Sequence, residues 1–184
     1  MLNEIYKQIS INLSKLDIPY IIIGGQAALL YMEPRFTYDI DITLDIDIDD
    51  SSKLIKLCNE LNWKILVENP IEFISETMVL PVISNQENIR IDFIFSNTYF
   101  EKEAIHNPNI IEIEGTDINF CSFENLIIFK IFSNRQKDLD DVYQMLKNKQ
   151  NYNIKLIYKH LLELGSYIDK DLITQFNLIK NRVS

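Results

Sequence analysis

Three aspartates in apolar, strand-like patterns are the residues of this sequence whose types and spacing best suit chemistry. Asp39 and Asp41 alternate with isoleucines in DIDITL, and Asp92 lies within the apolar run IRIDFIF. Side chains at i and i+2 of a strand point to one face, with Cα atoms roughly 6.5 to 7 Å apart. Two carboxylates placed in this way repel each other unless a cation lies between them, and Mg²⁺ prefers carboxylate oxygens together with retained waters. We therefore predict a divalent-cation site at Asp39, Asp41 and Asp92.

Each aspartate also has a structural interpretation. The Asp39-x-Asp41 alternation would equally suit the exposed polar face of an edge strand, and Asp92 would equally suit an ion pair with Arg90. The acidic run 45–50 is expected to be a solvated loop that leads into the next helix. A metal role for the three aspartates therefore depends on where their strands lie in the sheet.

A double glycine precedes the two alternating aspartates. Gly24 and Gly25 lie between the apolar, strand-like run 20–23 and the helix-prone residues 26–32, and Pro34 ends that helix. Glycine permits positive φ and close backbone approach, and free amides at a helix N-terminus attract anions such as phosphate. The pattern predicts an anion site at Gly24 and Gly25, although a simple turn would need the same residues.

The remaining sequence predicts mixed α and β structure, with helices concentrated at the C-terminal end. Apolar residues recur every three or four positions near both ends, whereas period-two alternation predicts two β-hairpins in the middle. Pro81, in the first hairpin, predicts an edge strand or a bulge. The expected hairpins pair 78–83 with 89–95 and 110–113 with 118–121, and the expected helices cover 2–16, 51–61, 99–104, 123–132, a segment after 134, 154–164 and 169–179.

Lys130 is the unusual residue of the C-terminal part. It interrupts the helix predicted for 123–132, which is apolar on nearly every side and is expected to be buried. Its ammonium group either reaches the surface along a flexible side chain or contributes charge at a phosphate site. Asp138 and Asp141 are expected to favour the N-terminus of the following helix. Weaker candidates, better suited to supporting or structural roles, are Arg35, Thr37, Arg135 and Lys137, and Tyr38 is left without an assignment.

Composition limits the number of domains and the classes of partner. At 184 residues the chain suits a core with a helical appendage, expected at 1–121 and 122–184. A net charge of −9 disfavours a protein that coats nucleic acid, although residues 126–184 carry 10 basic and 6 acidic side chains. No apolar run is long enough to cross a membrane, and no signal peptide is recognised. Cys58 and Cys121 are expected to be reduced and buried, as in a cytoplasmic protein.

The glycines and aspartates together resemble a known superfamily. Gly24-Gly25, then 13 residues, then Asp39-x-Asp41 in a strand and Asp92 in a later strand are similar to the DNA polymerase beta type nucleotidyltransferases. The segments GGQAALLY and PRFTYDIDI, with a late lysine-bearing helix and an Arg/Lys-Asp-x-x-Asp run, most resemble small bacterial AbiEii-like abortive-infection toxins. Many superfamily members have serine where this sequence has Gly25. The resemblance covers roughly residues 20–45, 88–95 and 122–142.

The resemblance implies an α+β (α/β) nucleotidyltransferase fold, with a small mixed twisted sheet flanked by helices and a C-terminal helical segment. It implies a two-metal transfer in which Asp39, Asp41 and Asp92 hold two Mg²⁺ ions. In this chemistry Asp92 could also accept the proton of the incoming hydroxyl. The amides of Gly24-Gly25 would receive the β and γ phosphates of a nucleoside triphosphate (NTP), and Lys130 could add positive charge there.

Three functions agree with these expectations. The first is an enzyme that transfers a nucleotide to an RNA end such as that of tRNA, as the toxin of a toxin–antitoxin or phage-defence pair with a cognate antitoxin protein. The basic C-terminal third would then bind the acceptor. The second is a small-molecule transferase of the antibiotic-modifying kind. The third is a nucleotide-binding or partner-binding module without turnover, which the presence of all three acids disfavours.

Overall fold

The computed structural model describes residues 2–85, 88–149 and 151–183. Segments in which apolar residues alternate with other residues form its strands, and amphipathic segments form most of its helices. The strands are β1 Tyr20–Ile22, β2 Asp39–Leu44, β3 Lys64–Ile65, β4 Val79–Ile83, β5 Arg90–Phe95, β6 Asn109–Ile113 and β7 Thr116–Phe120. The helices are α1 Leu2–Lys15, α2 Gly24–Ala28, α3 Ser51–Glu60, α4 Pro70–Thr77, α5 Tyr99–Ile105, α6 Phe123–Ser133, α7 Gln136–Asn148, α8 Ile154–Ile168 and α9 Leu172–Lys180, with a 3₁₀ turn at Ile48–Asp50.

The strands form one mixed sheet of seven among the described residues, in the order β3-β4-β5-β2-β1-β7-β6. Both predicted hairpins are confirmed, because β4 pairs antiparallel with β5 and β6 pairs antiparallel with β7. The two strands that carry the predicted aspartates, β2 and β5, are parallel neighbours near the centre. Central strands are covered on both faces in such folds, so polar side chains there need a partner.

Pro81 lies neither on an edge strand nor at a bulge, contrary to the expectation, because the register of β4 with β5 is unbroken. Strand β4 has β3 on one side and β5 on the other. The carbonyl of Pro81 accepts a hydrogen bond from the Leu66 amide on the β3 side, one residue beyond the end of β3 at Ile65. The N and C=O groups of a strand residue point to the same side, so the nitrogen of Pro81 also faces the β3 side. Its missing N–H therefore lies just beyond the end of β3 and removes no hydrogen bond between the paired residues of β3 and β4.

The chain forms two compact units. The first combines Met1–Gln26 with Thr37–Cys121 and contains the sheet, and the second combines Ala27–Phe36 with Ser122–Ser184. The predicted boundary after residue 121 coincides with one limit of these units, whereas residues 27–36 cluster with the C-terminal helices. The division into two functional domains stays a prediction.

The second unit is built on α6. The prediction that this helix is buried is confirmed, because Leu126, Ile127, Ile128 and Ile131 are fully inaccessible to solvent. No helix in the described part of the chain is long and apolar enough to pass through a membrane.

Candidate active site

The three predicted aspartates share one face of two adjacent central strands. In the parallel pairing of β2 with β5, Asp41 lies opposite Asp92 and Asp39 lies opposite Arg90. Opposed residues of neighbouring strands point to the same face, so the carboxyl groups of both strands project together. Ile40, on the other face of β2, is fully buried. The alternative interpretation of an exposed edge-strand face is therefore wrong, because β2 lies in the middle of the sheet.

The double glycine packs directly against these carboxylates. Gly24 has a φ of +65°, and a Cβ atom built on it would lie 1.9 Å from Oδ2 of Asp41. The amide of Ile23 donates to the carbonyl of Asp41 at 2.9 Å, which ties the turn to β2. Helix α2 begins at Gly24 and ends at Ala28, so it is shorter than the predicted helix 26–32. Only glycine suits position 24, because both its conformation and the adjacent carboxylate exclude a side chain.

A second set of contacts holds Asp39, in which Thr37 was a weaker sequence candidate for a supporting role, whereas Gln26 and Tyr6 were not predicted. The hydroxyl of Thr37 donates to Oδ1 of Asp39 at 3.0 Å, and a Cβ atom built on Gly25 would lie 2.4 Å from that hydroxyl oxygen. The side-chain amide of Gln26 donates to the carbonyl of Asp39 at 3.3 Å, and Tyr6 donates to the Gln26 side chain at 2.8 Å. The signal for these contacts was the buried polar Gln26 inside a short, otherwise apolar segment.

Asp92 forms the ion pair with Arg90 that its sequence position allowed. Nε of Arg90 donates to Oδ1 of Asp92 at 2.9 Å and to Oδ2 at 3.1 Å. The pKa of Arg90 is raised, first by the hydrogen bond to Asp92 and its charge, and further by the charges of Asp39 and Asp41. The guanidinium group therefore supplies positive charge to all three carboxylates in this conformation.

The donor set suits a divalent cation if Arg90 leaves Asp92. Within the described residues, no group of three His, Cys, Asp or Glu side chains is arranged to hold a metal ion in this conformation. Three carboxylates on one face of the sheet, with the glycine turn packed against Asp41, are nevertheless the oxygen ligands that Mg²⁺ prefers. The Arg90 side chain is 54% exposed, so it can rotate into solvent. The residues present therefore fit the predicted metal, and their role as ligands stays a prediction.

Lys130 belongs to the second unit and is 3% exposed. Its ammonium group donates to Oδ1 of Asp138 at 3.0 Å and to Oδ2 of Asp141 at 2.8 Å. Of the two alternatives for this lysine, the one in which its ammonium group reaches the surface is therefore wrong. Its predicted role at a phosphate stays a prediction, and these contacts favour a structural role because two carboxylates already balance its charge.

The same buried network includes two of the weaker sequence candidates. Arg35 donates to both oxygens of Asp141, from Nε at 2.7 Å and from Nη2 at 2.6 Å. Arg135 Nε donates to Asp138 at 2.6 Å. Lys137 lies on the exposed side of α7. The signal for this network was available, because a lysine in a buried helix needs anions and Asp138 and Asp141 share a helix face at i and i+3.

The pKa values of the two buried aspartates reflect these contacts. For Asp138, burial raises the pKa, but the hydrogen bond from Ser133, the charge of Lys130 and the hydrogen bond from Arg135 hold it below its ordinary value. For Asp141, burial is likewise outweighed by Arg35 and Lys130, so its pKa is also lowered. Both carboxylates are therefore ionised across the ordinary pH range.

Solved structures with a similar fold include nucleotidyltransferases. The crystal structure of an antigenic nucleotidyltransferase-like protein from Paracoccidioides brasiliensis matches with a TM-score of 0.55 at 16% identity, and the match covers 96% of this chain and 92% of that chain. The lincomycin-bound crystal structure of the lincosamide antibiotic adenylyltransferase LnuA matches with a TM-score of 0.52 at 15% identity, over 74% of this chain and 91% of that chain. At such identities the similarity concerns the fold alone, and the predicted nucleotidyltransferase fold is confirmed.

The wider comparisons identify the enzyme class. A search of curated proteins gave no match. The model of a family described as "nucleotidyl transferase of unknown function (DUF2204)" matches residues 2–177, a range that includes the glycine turn, the three aspartates and Lys130. The finer resemblance to AbiEii-like toxins stays a prediction. Because the family model spans nearly the whole chain, this protein belongs to that nucleotidyl transferase family.

Proposed function

We propose that this enzyme moves a nucleoside monophosphate from an NTP to an acceptor hydroxyl group, with Mg²⁺ as its cofactor. The observation that supports the proposal best is the packing of the Asp41 carboxylate against Gly24, opposite a further aspartate on the next strand. Nucleotidyl transfer requires a phosphate-binding turn and a cation-binding face side by side, because bound cations would neutralise the charge of the phosphates that react.

The carboxylates would divide the chemistry among them. The acceptor oxygen attacks the α-phosphorus, and the bond from that phosphorus to the oxygen bridging the β-phosphorus breaks, so pyrophosphate leaves. Asp39 and Asp41 would hold two Mg²⁺ ions, and Asp92 would complete the set of ligands. When bound, the ions would neutralise charge on the attacking and leaving oxygens. Asp92 would also accept the proton of the acceptor hydroxyl, once Arg90 has left its carboxylate.

The glycine turn would bind the remaining phosphates. The amides of Gly24 and Gly25 would donate to the β and γ phosphates, since neither residue has a side chain that blocks the approach. Helix α2 is only five residues long, so these local amides matter more than any long helix dipole. We assign the phosphate contact to the glycines, and additional charge from Lys130 stays a prediction.

We propose an RNA end, such as that of tRNA, as the acceptor, and a toxin or phage-defence role with a cognate antitoxin protein. The AbiEii-like sequence pattern and the 10 basic against 6 acidic residues of 126–184 support this proposal. A small-molecule acceptor is the alternative, favoured by the fold similarity to LnuA, which was solved with lincomycin. A module without turnover is disfavoured because all three acids are present.

A cytoplasmic location forms part of the same proposal. Cys58 and Cys121 are not joined in a disulfide, and both are buried. Burial raises the pKa of the Cys58 thiol to about 12, so it is unreactive. Reduced, buried cysteines are typical of proteins in a reducing compartment.

The test offers the purified protein each labelled NTP with Mg²⁺, and either total RNA or a panel of aminoglycosides and lincosamides. We expect metal-dependent label on RNA, abolished by a chelator. Label on an antibiotic alone would support the second function instead. A metal-dependent thermal shift with nucleotide, but no transfer to either acceptor, would overturn the transfer proposal in favour of a binding module.

A further inference from the structure

Thr37 lies between the glycine turn and the first aspartate of β2. It belongs to the extended segment that leads into the strand, two residues before Asp39. Its hydroxyl donates to Oδ1 of Asp39 at 3.0 Å, so the two side chains share one side of the chain. A hydroxyl has a single proton to donate, and here that proton is used on the carboxylate.

Gly25 lies next to the same hydroxyl, and the reason why position 25 requires glycine differs from the reason at position 24. Gly24 adopts a positive φ, whereas Gly25 is absent from the glycines with a positive φ in the described chain. Its backbone would therefore tolerate a side chain. What excludes one is contact, because a Cβ atom on Gly25 would lie 2.4 Å from the hydroxyl oxygen of Thr37 and 3.0 Å from its Cβ. The space beside residue 25 is filled by the side chain of residue 37.

These contacts restrict the rotation of the Asp39 carboxylate. The Thr37 hydroxyl holds Oδ1, and the side chain of Gln26 holds the backbone carbonyl of the same residue at 3.3 Å. With Oδ1 held by the Thr37 hydroxyl and the backbone carbonyl held by Gln26, the carboxylate is kept in one orientation, in which its remaining lone pairs can bind a cation. Hydrogen bonds of this kind orient a metal-binding carboxylate and typically change metal affinity by about 10- to 100-fold.

We infer that Thr37 is a positioning residue that orients Asp39 for divalent-cation binding, and that Gly25 is glycine because it must leave room for the Thr37 hydroxyl. This inference rests on the proposed function, since it needs Asp39 to be a metal ligand. Thr37 acts through Asp39 and is not itself assigned a contact with substrate.

The test compares two substitutions of Thr37 that differ in one respect. Thr37→Ser keeps the hydroxyl, whereas Thr37→Val keeps the shape and loses the donor. Binding of Mn²⁺ alone to the protein without nucleotide is measured by electron paramagnetic resonance. We expect Thr37→Ser to bind within about twofold of the wild type and Thr37→Val to bind about tenfold more weakly.

The outcomes separate this inference from the proposed function. If the wild type binds Mn²⁺ and Thr37→Val binds equally well, the positioning role is overturned while the metal site stands. If the wild type binds no Mn²⁺, the proposed metal site fails and the inference fails with it.

A second measurement tests the Gly25 contact without any ligand. Gly25→Ala in the otherwise wild-type protein should lower the free energy of unfolding, because the new methyl group overlaps the Thr37 hydroxyl. The same change should be milder in a Thr37→Ala background, where a contact of 3.0 Å replaces the one of 2.4 Å. The comparison uses urea unfolding of both single variants and the double variant. Strictly additive effects would overturn the assigned reason for glycine at position 25.

Discussion

Arg90 and Asp92 lie two residues apart on β5, and Nε of Arg90 donates to both carboxylate oxygens of Asp92 at 2.9 and 3.1 Å. Because Asp39 and Asp41 on the next strand also raise the pKa of Arg90, its guanidinium group neutralises part of the charge that the proposed cations would otherwise balance. Arg90 and a divalent cation therefore compete for the same carboxylates.

Removing this competitor should strengthen metal binding. In Arg90→Gln, we expect the Kd for Mn²⁺ in the absence of nucleotide to fall by about five- to tenfold, because a like charge next to the cation is lost. Isothermal titration calorimetry measures the change. Arg182→Gln, which removes an arginine that lies over the Tyr143 ring, is the control and should leave the Kd unchanged. An unchanged or higher Kd in Arg90→Gln would contradict the competition.

Replacing the central carboxylate should abolish transfer while preserving the fold. We expect Asp41→Asn to lose nucleotide transfer by at least about a thousandfold, because an amide cannot replace a carboxylate as a ligand for Mg²⁺. Its free energy of unfolding should change by less than about 1 kcal/mol, since the substitution relieves repulsion among the three acids. Asp49→Asn, in the exposed 3₁₀ turn after β2, is the matched control. Near-normal transfer by Asp41→Asn would exclude its metal role.

Gly24 in the glycine turn can be compared with Gly115, a glycine of similar φ elsewhere in the chain. Gly24 and Gly115 have φ of +65° and +79°, but a Cβ on Gly115 meets nothing within 4 Å, whereas one on Gly24 meets Oδ2 of Asp41 at 1.9 Å. Gly115→Ala should therefore cost only the conformational term of about 1 to 2 kcal/mol. Gly24→Ala should cost more and should also abolish transfer.

Urea unfolding and the labelled-transfer assay, applied to both glycine variants, separate these effects. The variant Gly115→Ala should keep full transfer activity. Equal stability losses in the two variants, with activity preserved in both, would show that the contact between Gly24 and Asp41 has no consequence.

Lys130 should prove important for stability. Lys130→Met leaves Asp138 and Asp141 with one cation fewer in a buried site, so the free energy of unfolding should fall by about 3 to 5 kcal/mol. Lys137→Met, on the exposed side of α7, should change it by less than about 0.5 kcal/mol. Chemical denaturation followed by circular dichroism compares the two. A stable Lys130→Met protein with a raised KM for NTP would instead support the predicted role of Lys130 at a phosphate.

The buried aspartates also predict how stability depends on pH. The pKa values of Asp138 and Asp141 are lower in the folded protein than their ordinary value of 3.8. Their stabilisation is therefore fully present above pH 3.8 and is lost as the pH falls through the lower, folded values.

We expect the free energy of unfolding to decrease with falling pH below about pH 4, and to do so less steeply in Asp138→Asn, which has one such group fewer. Urea titrations between about pH 2 and pH 6 give the two slopes. Parallel slopes would mean that protonation of Asp138 is not coupled to unfolding.

Much of the candidate site could be recognised from local pattern. Asp39 and Asp41 alternate with buried isoleucines, and period two alone places them on one face of a strand. The glycine pair before them suggested a turn that approaches a neighbouring group closely. The two hairpins could also be predicted from local sequence, because their strands are close in sequence and their register depends on a short connection.

The position of Pro81 in the sheet could not be predicted from local sequence pattern. Its effect depends on the point at which the neighbouring strand β3 ends, and that strand comes from a separate part of the chain. The partners of Lys130 were also missed, because the packing of α7 against α6 decides which carboxylates reach a buried amine.

Residue types and spacing were thus sufficient to identify the acids, the turn and the class of fold, because hydrophobic period and glycine conformation are properties of short segments. Only the folded chain set Asp92 opposite Asp41 and seated Thr37 against Gly25. Those contacts depend on the register of strands that are remote in sequence and on the rotamers that packing allows, and no local pattern encodes either.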